Sequence, residues 1–340
     1  MRRICHAVRL DRALSDLKSA DVHGVVIGVY RKCFNVLVGS GTIVSVFVNT
    51  GYTMPMSIHT NLNEGGEPFF DCVFEGDDVW ISGGILASGG FACIMSDALL
   101  QEMHRCAIPE ADADILKKQQ LLFASLLKKH GKRRGEGKNL ERWIKFLFEG
   151  IAPPPSEKIL CSLAYLFEAI RSGDEQTVIA GLERTVGAGI GLTPSADDVI
   201  CGMCHALYMF GAGGEFLSLL RSYVKAFGRG RTTLVSAQQL KLSAGGVMSD
   251  PVFRLMECIA QNAPEDTMRR TLCKAVEYGS SSGTELCMGV LAGCCLVSTE
   301  AARQTVCFAA GKESGNYDGQ KEFCDKKQVL RLCPSDEACR

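Results

Sequence analysis

Two periods of hydrophobic residues divide the chain. Between Val22 and Ile94, short runs rich in Val, Ile, Phe and Tyr alternate with glycine-containing and acidic turns. They are Val22–Tyr30, Phe34–Val38, Thr42–Val48, Met56–His59, Phe69–Phe74, Val79–Ser82 and Phe91–Ile94. β-Branched and aromatic residues suit a pleated, half-buried surface, and Gly39-Ser40-Gly41 is a hairpin signal between two of the runs. The pattern predicts a small antiparallel β-barrel or sandwich, with a short helix over Arg12–Ala20 ahead of it.

From Ala113 the period lengthens. Ile115, Leu116, Leu121, Leu122, Leu126 and Leu127 make a helical stripe over Ala113–His130. A basic loop, Lys129–Lys138, follows and reads as an exposed linker. Helical periodicity then recurs over Leu140–Glu149, Glu157–Arg171, Asp174–Thr185, Ser195–Phe210, Glu215–Phe227, Thr232–Ser243, Pro251–Gln261, Pro264–Tyr278 and Thr284–Ser298, with glycine- or proline-containing breaks between most of them. The fold class expected is α+β, a small β-barrel or sandwich followed by an all-α domain of about nine helices. Its divisions are a β-rich domain at 1–112, a helical linker region at 113–155, a helical ligand-binding domain at 156–310 and a polar tail at 311–340 containing Cys324, Cys333 and Cys339.

Composition narrows the choice of ligand. Lys and Arg total 37 against 38 acidic residues, so the chain lacks the global basic field that nucleic-acid or membrane-surface binding needs. A small neutral or anionic metabolite fits better. Met1–Leu14 has no apolar run of signal-peptide length, and the longest such run, Leu286–Val297, falls short of the roughly 20 residues that span a bilayer. A cytoplasmic location is expected. The odd count of 17 cysteines, scattered through helical segments, then reads as reduced, small hydrophobes. Cys201-Gly202-Met203-Cys204-His205 matches the c-type haem attachment pattern, but it lies inside a helix that must bury its apolar face. With no second Cys-x-x-Cys or His-x-x-x-His to complete four ligands, neither a cofactor nor a metal is expected.

The chemistry concentrates at helix starts. Gly187-Ala188-Gly189-Ile190-Gly191-Leu192-Thr193-Pro194-Ser195-Ala196-Asp197-Asp198 is a glycine turn running into a helix, with Thr193 as expected N-cap, Pro194 at the first helical position and two carboxylates against the positive end of the dipole. Ser282-Gly283-Thr284-Glu285-Leu286-Cys287-Met288-Gly289 partly echoes Ser195-Ala196-Asp197-Asp198-Val199-Ile200-Cys201-Gly202. Each begins a helix, places an acid in the first turn and carries a glycine where another backbone can approach. The echo suggests a duplicated unit whose helix starts share a pocket. Between the two lies Arg229-Gly230-Arg231-Thr232-Thr233-Leu234-Val235-Ser236, read as a third polar helix start with an arginine fork and hydroxyls suited to phosphate or carboxylate oxygens.

Gly189-x-Gly191-Leu192-Thr193-Pro194-Ser195-x-Asp197-Asp198, with Thr232-Thr233-x-x-Ser236 and Gly279-x-Ser281-Ser282-Gly283, resembles the signature of a bacterial family that includes the AllH-type subunit of oxamate carbamoyltransferase, from anaerobic allantoin and purine-nitrogen breakdown. Ala196 stands where that family usually has glycine, and Glu285 where aspartate is common; both keep the chemistry. The resemblance implies a chain that works with two partner subunits in moving a carbamoyl group between carbamoyl phosphate and oxamate. On this reading Arg231, Thr232 and Thr233 hold anionic oxygens, and the turns carrying Gly189, Gly191, Thr193 and Ser195, and Ser281, Ser282 and Gly283, donate hydrogen bonds beside Ser236 and Glu285. Asp197 and Asp198 are the candidate catalytic acids, with a purely structural role at the helix dipole as the alternative for Asp198. The rival functions are a non-catalytic regulatory or scaffolding subunit, and a stand-alone transferase or hydrolase.

Overall fold

The computed structural model describes residues 3–311, apart from 40, 64, 66 and 109–111, with side chains as far as residue 298. Nine strands come first: β1 (Arg3–Asp11), β2 (Val22–Val29), β3 (Cys33–Val38), β4 (Thr42–Phe47), β5 (Ser57–Thr60), β6 (Asp78–Ser82), β7 (Ile85–Ser88), β8 (Phe91–Ile94) and β9 (Leu99–Gln101). They form one sheet in the order β5-β4-β3-β2-β6-β7-β8-β1-β9. Pairing of β1 with β5, Leu10 against Ile58, closes the first eight into a barrel. Closure removes the open edges that a sheet of this size would otherwise expose.

The barrel differs from the expected one in three respects. It is mixed, because β1 runs parallel to β8 and β9, and β4 parallel to β5. Its closing strand, β1, and the short β7 and β9 lie outside the predicted set. Phe69–Phe74 is a turn, since the N–H groups of Cys72 and Val73 both return to the Phe69 carbonyl and Phe74 N–H bonds to the Asp77 carboxylate. Local bonds of this kind compete successfully with a sheet ladder. Phe69 still enters the barrel, edge to face with Phe34 and Phe91 at 5.1 and 5.7 Å.

Ten α-helices follow among the described residues: α1 (Ala113–His130), α2 (Leu140–Glu149), α3 (Lys158–Ser172), α4 (Glu175–Thr185), α5 (Ser195–Met209), α6 (Gly214–Arg231), α7 (Leu234–Ser243), α8 (Asp250–Ala260), α9 (Glu265–Val276) and α10 (Ser282–Gly311). The first two share a core with the others, Trp143 donating to the Met288 carbonyl and Gln120 to that of Cys294. Compact packing extends from the barrel through the helices as far as Ala302. The basic loop after α1 is exposed at Lys129, Arg133, Arg134 and Lys138 but is anchored between them: Glu136 and Gly137 are buried, and the Lys132 ammonium bonds the carbonyls of Glu277 and Gly279. The tail from residue 312 onward, with Cys324, Cys333 and Cys339, lies outside the described residues. No helix among the described residues is long and apolar enough to cross a membrane.

At the centre stands α5, buried at every position but Tyr208. Beyond its polar first turn such a helix is largely apolar on every face, and Cys201, Cys204 and His205 serve as core side chains, burial pushing the His205 pKa down to about 4. Against α5 runs α10, at a spacing only glycine permits. A Cβ on Gly202 would stand 2.0 Å from the Leu286 carbonyl oxygen, and one on Gly289 would stand 1.9 Å from that of Val199. Gly289→Ala is therefore expected to cost about 3 kcal/mol or more in urea unfolding. Gly230→Ala in α6, where a Cβ meets nothing within 4 Å, should instead stabilise by about 0.5–1 kcal/mol.

Candidate functional site

The glycine turn caps α5 with its backbone. Pro194 occupies the N-cap position and offers no side-chain acceptor. The Ala196 N–H goes instead to the Ala188 carbonyl, at 3.0 Å. Thr193, expected as the cap, lies one residue earlier, and its hydroxyl bonds the Asp198 carboxylate and the Ser282 hydroxyl, each at 3.1 Å. Gly187, at φ +82, brings the turn against the end of α6, where a Cβ would fall 1.8 Å from the Arg231 carbonyl oxygen. Only glycine meets both demands.

Asp197 knits these elements together. Its buried carboxylate accepts the Gly187 N–H at 2.7 Å, the Ser236 hydroxyl at 2.6 Å and the Thr232 hydroxyl. Burial pushes its pKa up, and the three donors oppose that shift. Thr233 caps α7, accepting the Ser236 N–H and donating to the Leu192 carbonyl at 2.6 Å. Arg231 departs from expectation. The glycines at 228 and 230 do not break α6, so Arg231 ends that helix with its side chain exposed and is not at a helix start.

The start of α10 closes the other side. Thr284 accepts the Lys132 N–H, and Glu285 Oε1 accepts the Glu136 N–H at 2.8 Å. Glu285 Oε2 is buried and has no partner. Gly283 packs its backbone on that of α9, its Cβ position 2.4 Å from the Ala275 carbonyl oxygen, and Ser281 accepts the Thr284 and Glu285 N–H groups at its carbonyl. Ser195 is buried in the first turn of α5, while Gly189 and Gly191 lie exposed on the turn before it.

Asp198 and Glu285 stand four residues ahead of Gly202 and Gly289, hence on the same helix faces as the two contact glycines and toward one another. Burial raises the Asp198 pKa well above the carboxylate range, and the Glu285 and Asp197 charges add to this against the Ser282 and Thr193 hydroxyls. Three residues escaped the sequence reading. Tyr278 bonds Gln239 and faces Asp198, with Cys33 and Tyr52 of the barrel nearby, and burial followed by Asp198 pushes its phenol up. The others are Lys132 and Glu136, whose backbone N–H groups come from the basic loop. Tyr278 borders the Gly279 turn, a signal that was available; nothing in the sequence joins 132–136 to 284–285.

The polar starts of α5, α7 and α10 therefore meet. Residues 185–294 match the family of the oxamate carbamoyltransferase subunit AllH. The AllH match opens two residues before Gly187, takes in all three helix starts and ends within α10, so the resemblance seen in the motifs holds over the segment that carries them. It covers about a third of the chain and leaves out the barrel. No solved structure matches the chain. Among the described residues no group of three or more His, Cys, Asp or Glu side chains could hold a metal ion. A separate open depression of about 320 Å³ on the barrel, lined by Asp77, Asp78 and Trp80, shares no residue with this site.

Two measurements probe the network. Asp197→Ala strands three donors and is expected to cost about 3 kcal/mol or more in urea unfolding. For Asp198, a carboxyl whose folded pKa is raised binds its proton more tightly in the folded state. Wild-type stability is then lost as pH rises from the unfolded value of about 4 toward the folded one. Asp198→Asn removes that dependence, so its stability relative to wild type should be more favourable at pH 7 than at pH 4.

Proposed function

We propose that the chain is a subunit of a carbamoyltransferase assembly of the oxamate type, with its share of the substrate site at the joined starts of α5, α7 and α10. The observation that carries the reading is the facing pair Asp198 and Glu285 inside the segment matched to AllH. Asp197, its oxygens already supplied with three donors, holds the loops. Asp198 faces the substrate. In the reaction the carbamoyl carbon leaves a phosphate oxygen and bonds the amide nitrogen of oxamate, which gives up one proton. A carboxylate whose pKa burial has raised is suited to take it. The turns at 189–195 and 279–283 offer backbone N–H groups and hydroxyls to anionic oxygens, and positioning supplies much of the rate. The exposed apolar side chains Ile190, Leu192 and Leu234 near the rim fit a surface that partner subunits cover.

A second reading, a metabolite-binding subunit without catalysis, draws support from Asp197 and Thr233, whose hydrogen bonds are spent within the protein. Assay of the chain, alone and with the other subunits, for carbamoyl transfer from carbamoyl phosphate to oxamate separates the two. The catalytic reading expects Asp198→Asn to lower kcat by about 100-fold or more with the complex intact. Turnover unchanged in Asp198→Asn would favour the second reading.

A further inference from the structure

We infer that Glu285 sets the specificity of this site, its free Oε2 accepting an N–H of a primary amide or carbamoyl group, so that the site takes an amide in preference to a carboxylate of the same shape. The inference rests on the reading above and adds which end of the ligand is recognised.

Glu285 is 1% exposed and half satisfied: Oε1 has the Glu136 N–H, and Oε2 has no donor. Buried acceptors are almost always paired, so an unpaired one at a candidate site is an opening for a ligand donor. The side chain is held in place. Gly135 packs so closely on Oε1 that a Cβ there would come within 2.2 Å, and the Glu136 N–H follows directly.

The surroundings decide the sign of the ligand. The Asp198 carboxyl faces Glu285, and Asp197 adds its charge to the same region. Two of the cations on neighbouring elements are directed elsewhere: the Lys132 ammonium bonds the carbonyls of Glu277 and Gly279, and Arg231 is exposed at the end of α6. A carboxylate brought to Oε2 would set acceptor against acceptor, whereas an amide N–H would supply the missing donor. Sites built to hydrogen-bond a ligand N–H discriminate strongly against an isostere that lacks it.

Oxamate and oxalate are a matched pair for the test, differing in NH₂ against O⁻. Calorimetric titration of the full chain, with its partner subunits where these are needed for binding, should give at least about tenfold tighter binding of oxamate than of oxalate. In Glu285→Gln, which presents an NH₂ in place of the free oxygen, the ratio should collapse to about one or invert. A purely structural Glu285 would weaken both ligands alike, and that result overturns the inference. Equal binding of oxamate and oxalate by the wild type also overturns it while leaving the oxamate reading standing, and it needs no variant to fold. If oxamate fails to bind but acetamide or urea binds and is lost in Glu285→Gln, the inference survives and the oxamate reading fails. Binding of none of these, or a response to potassium chloride alone, overturns the inference.

Discussion

The contact on which the site depends is the touching of two helix backbones at Gly202 and Gly289. It is reciprocal: Gly202 lies on the Leu286 carbonyl, and Gly289 lies on the carbonyl of Val199, the residue equivalent to Leu286 in the sequence echo. Reciprocity of this kind marks a local pseudo-two-fold relation between the two helix starts. Packing that close leaves no room for side chains at the crossing. One turn earlier the helices carry Asp198 and Glu285, and the geometry that joins the backbones brings these acids together. Carboxylates at helix N-termini are favoured by the dipoles, which offsets part of the cost of burying them.

Around that crossing the polar groups divide into saturated and unsaturated. Asp197, Thr233 and Thr284 bind protein donors or acceptors and fix α5, α7, α10 and the basic loop to one another. Asp198 and Glu285 stand apart from these: Asp198 has the Thr193 and Ser282 hydroxyls but is buried beside like charges, and Glu285 keeps an oxygen without a donor. Electrostatic strain of this kind inside an otherwise satisfied network comes at the expense of stability, and it singles out these two acids within the candidate site.

Much of the helical region was legible because its periodicity is strong. Ala113–His130 and Leu140–Glu149 are found with the ends the stripe indicated, and the two segments of the echo from Ser195 and Ser282 begin helices whose backbones touch at Gly202 and Gly289. Legibility failed where a local signal had two physical outcomes. The glycines at 228 and 230 read as a break, yet neither takes a positive φ, and α6 runs through them to Arg231. Thr193 is a good capping residue, but Pro194 and the Ala188 carbonyl take over the cap and free its hydroxyl for Asp198. In the barrel, β7 and β9 are too short to show alternation, and β1 mixes arginines and a histidine with its inward residues. The Glu136 bond to Glu285 spans 149 residues of sequence and has no local signature.

Among the contacts that tie the two halves of the molecule, one is made by a single side chain. β5 pairs with β4 only from Ser45 to Phe47, and at Ile43 the place beside the strand is taken by Gln238 of α7, whose carboxamide accepts the Ile43 N–H at 2.8 Å and donates to its carbonyl at 2.7 Å. A side-chain amide thus continues the sheet where a strand is missing. Gln238 is two residues from Ser236, which holds Asp197. The barrel is therefore not an interchangeable module: a substitute grafted in its place would have to present an unpaired peptide opposite that glutamine, and the two halves are constrained to diverge together.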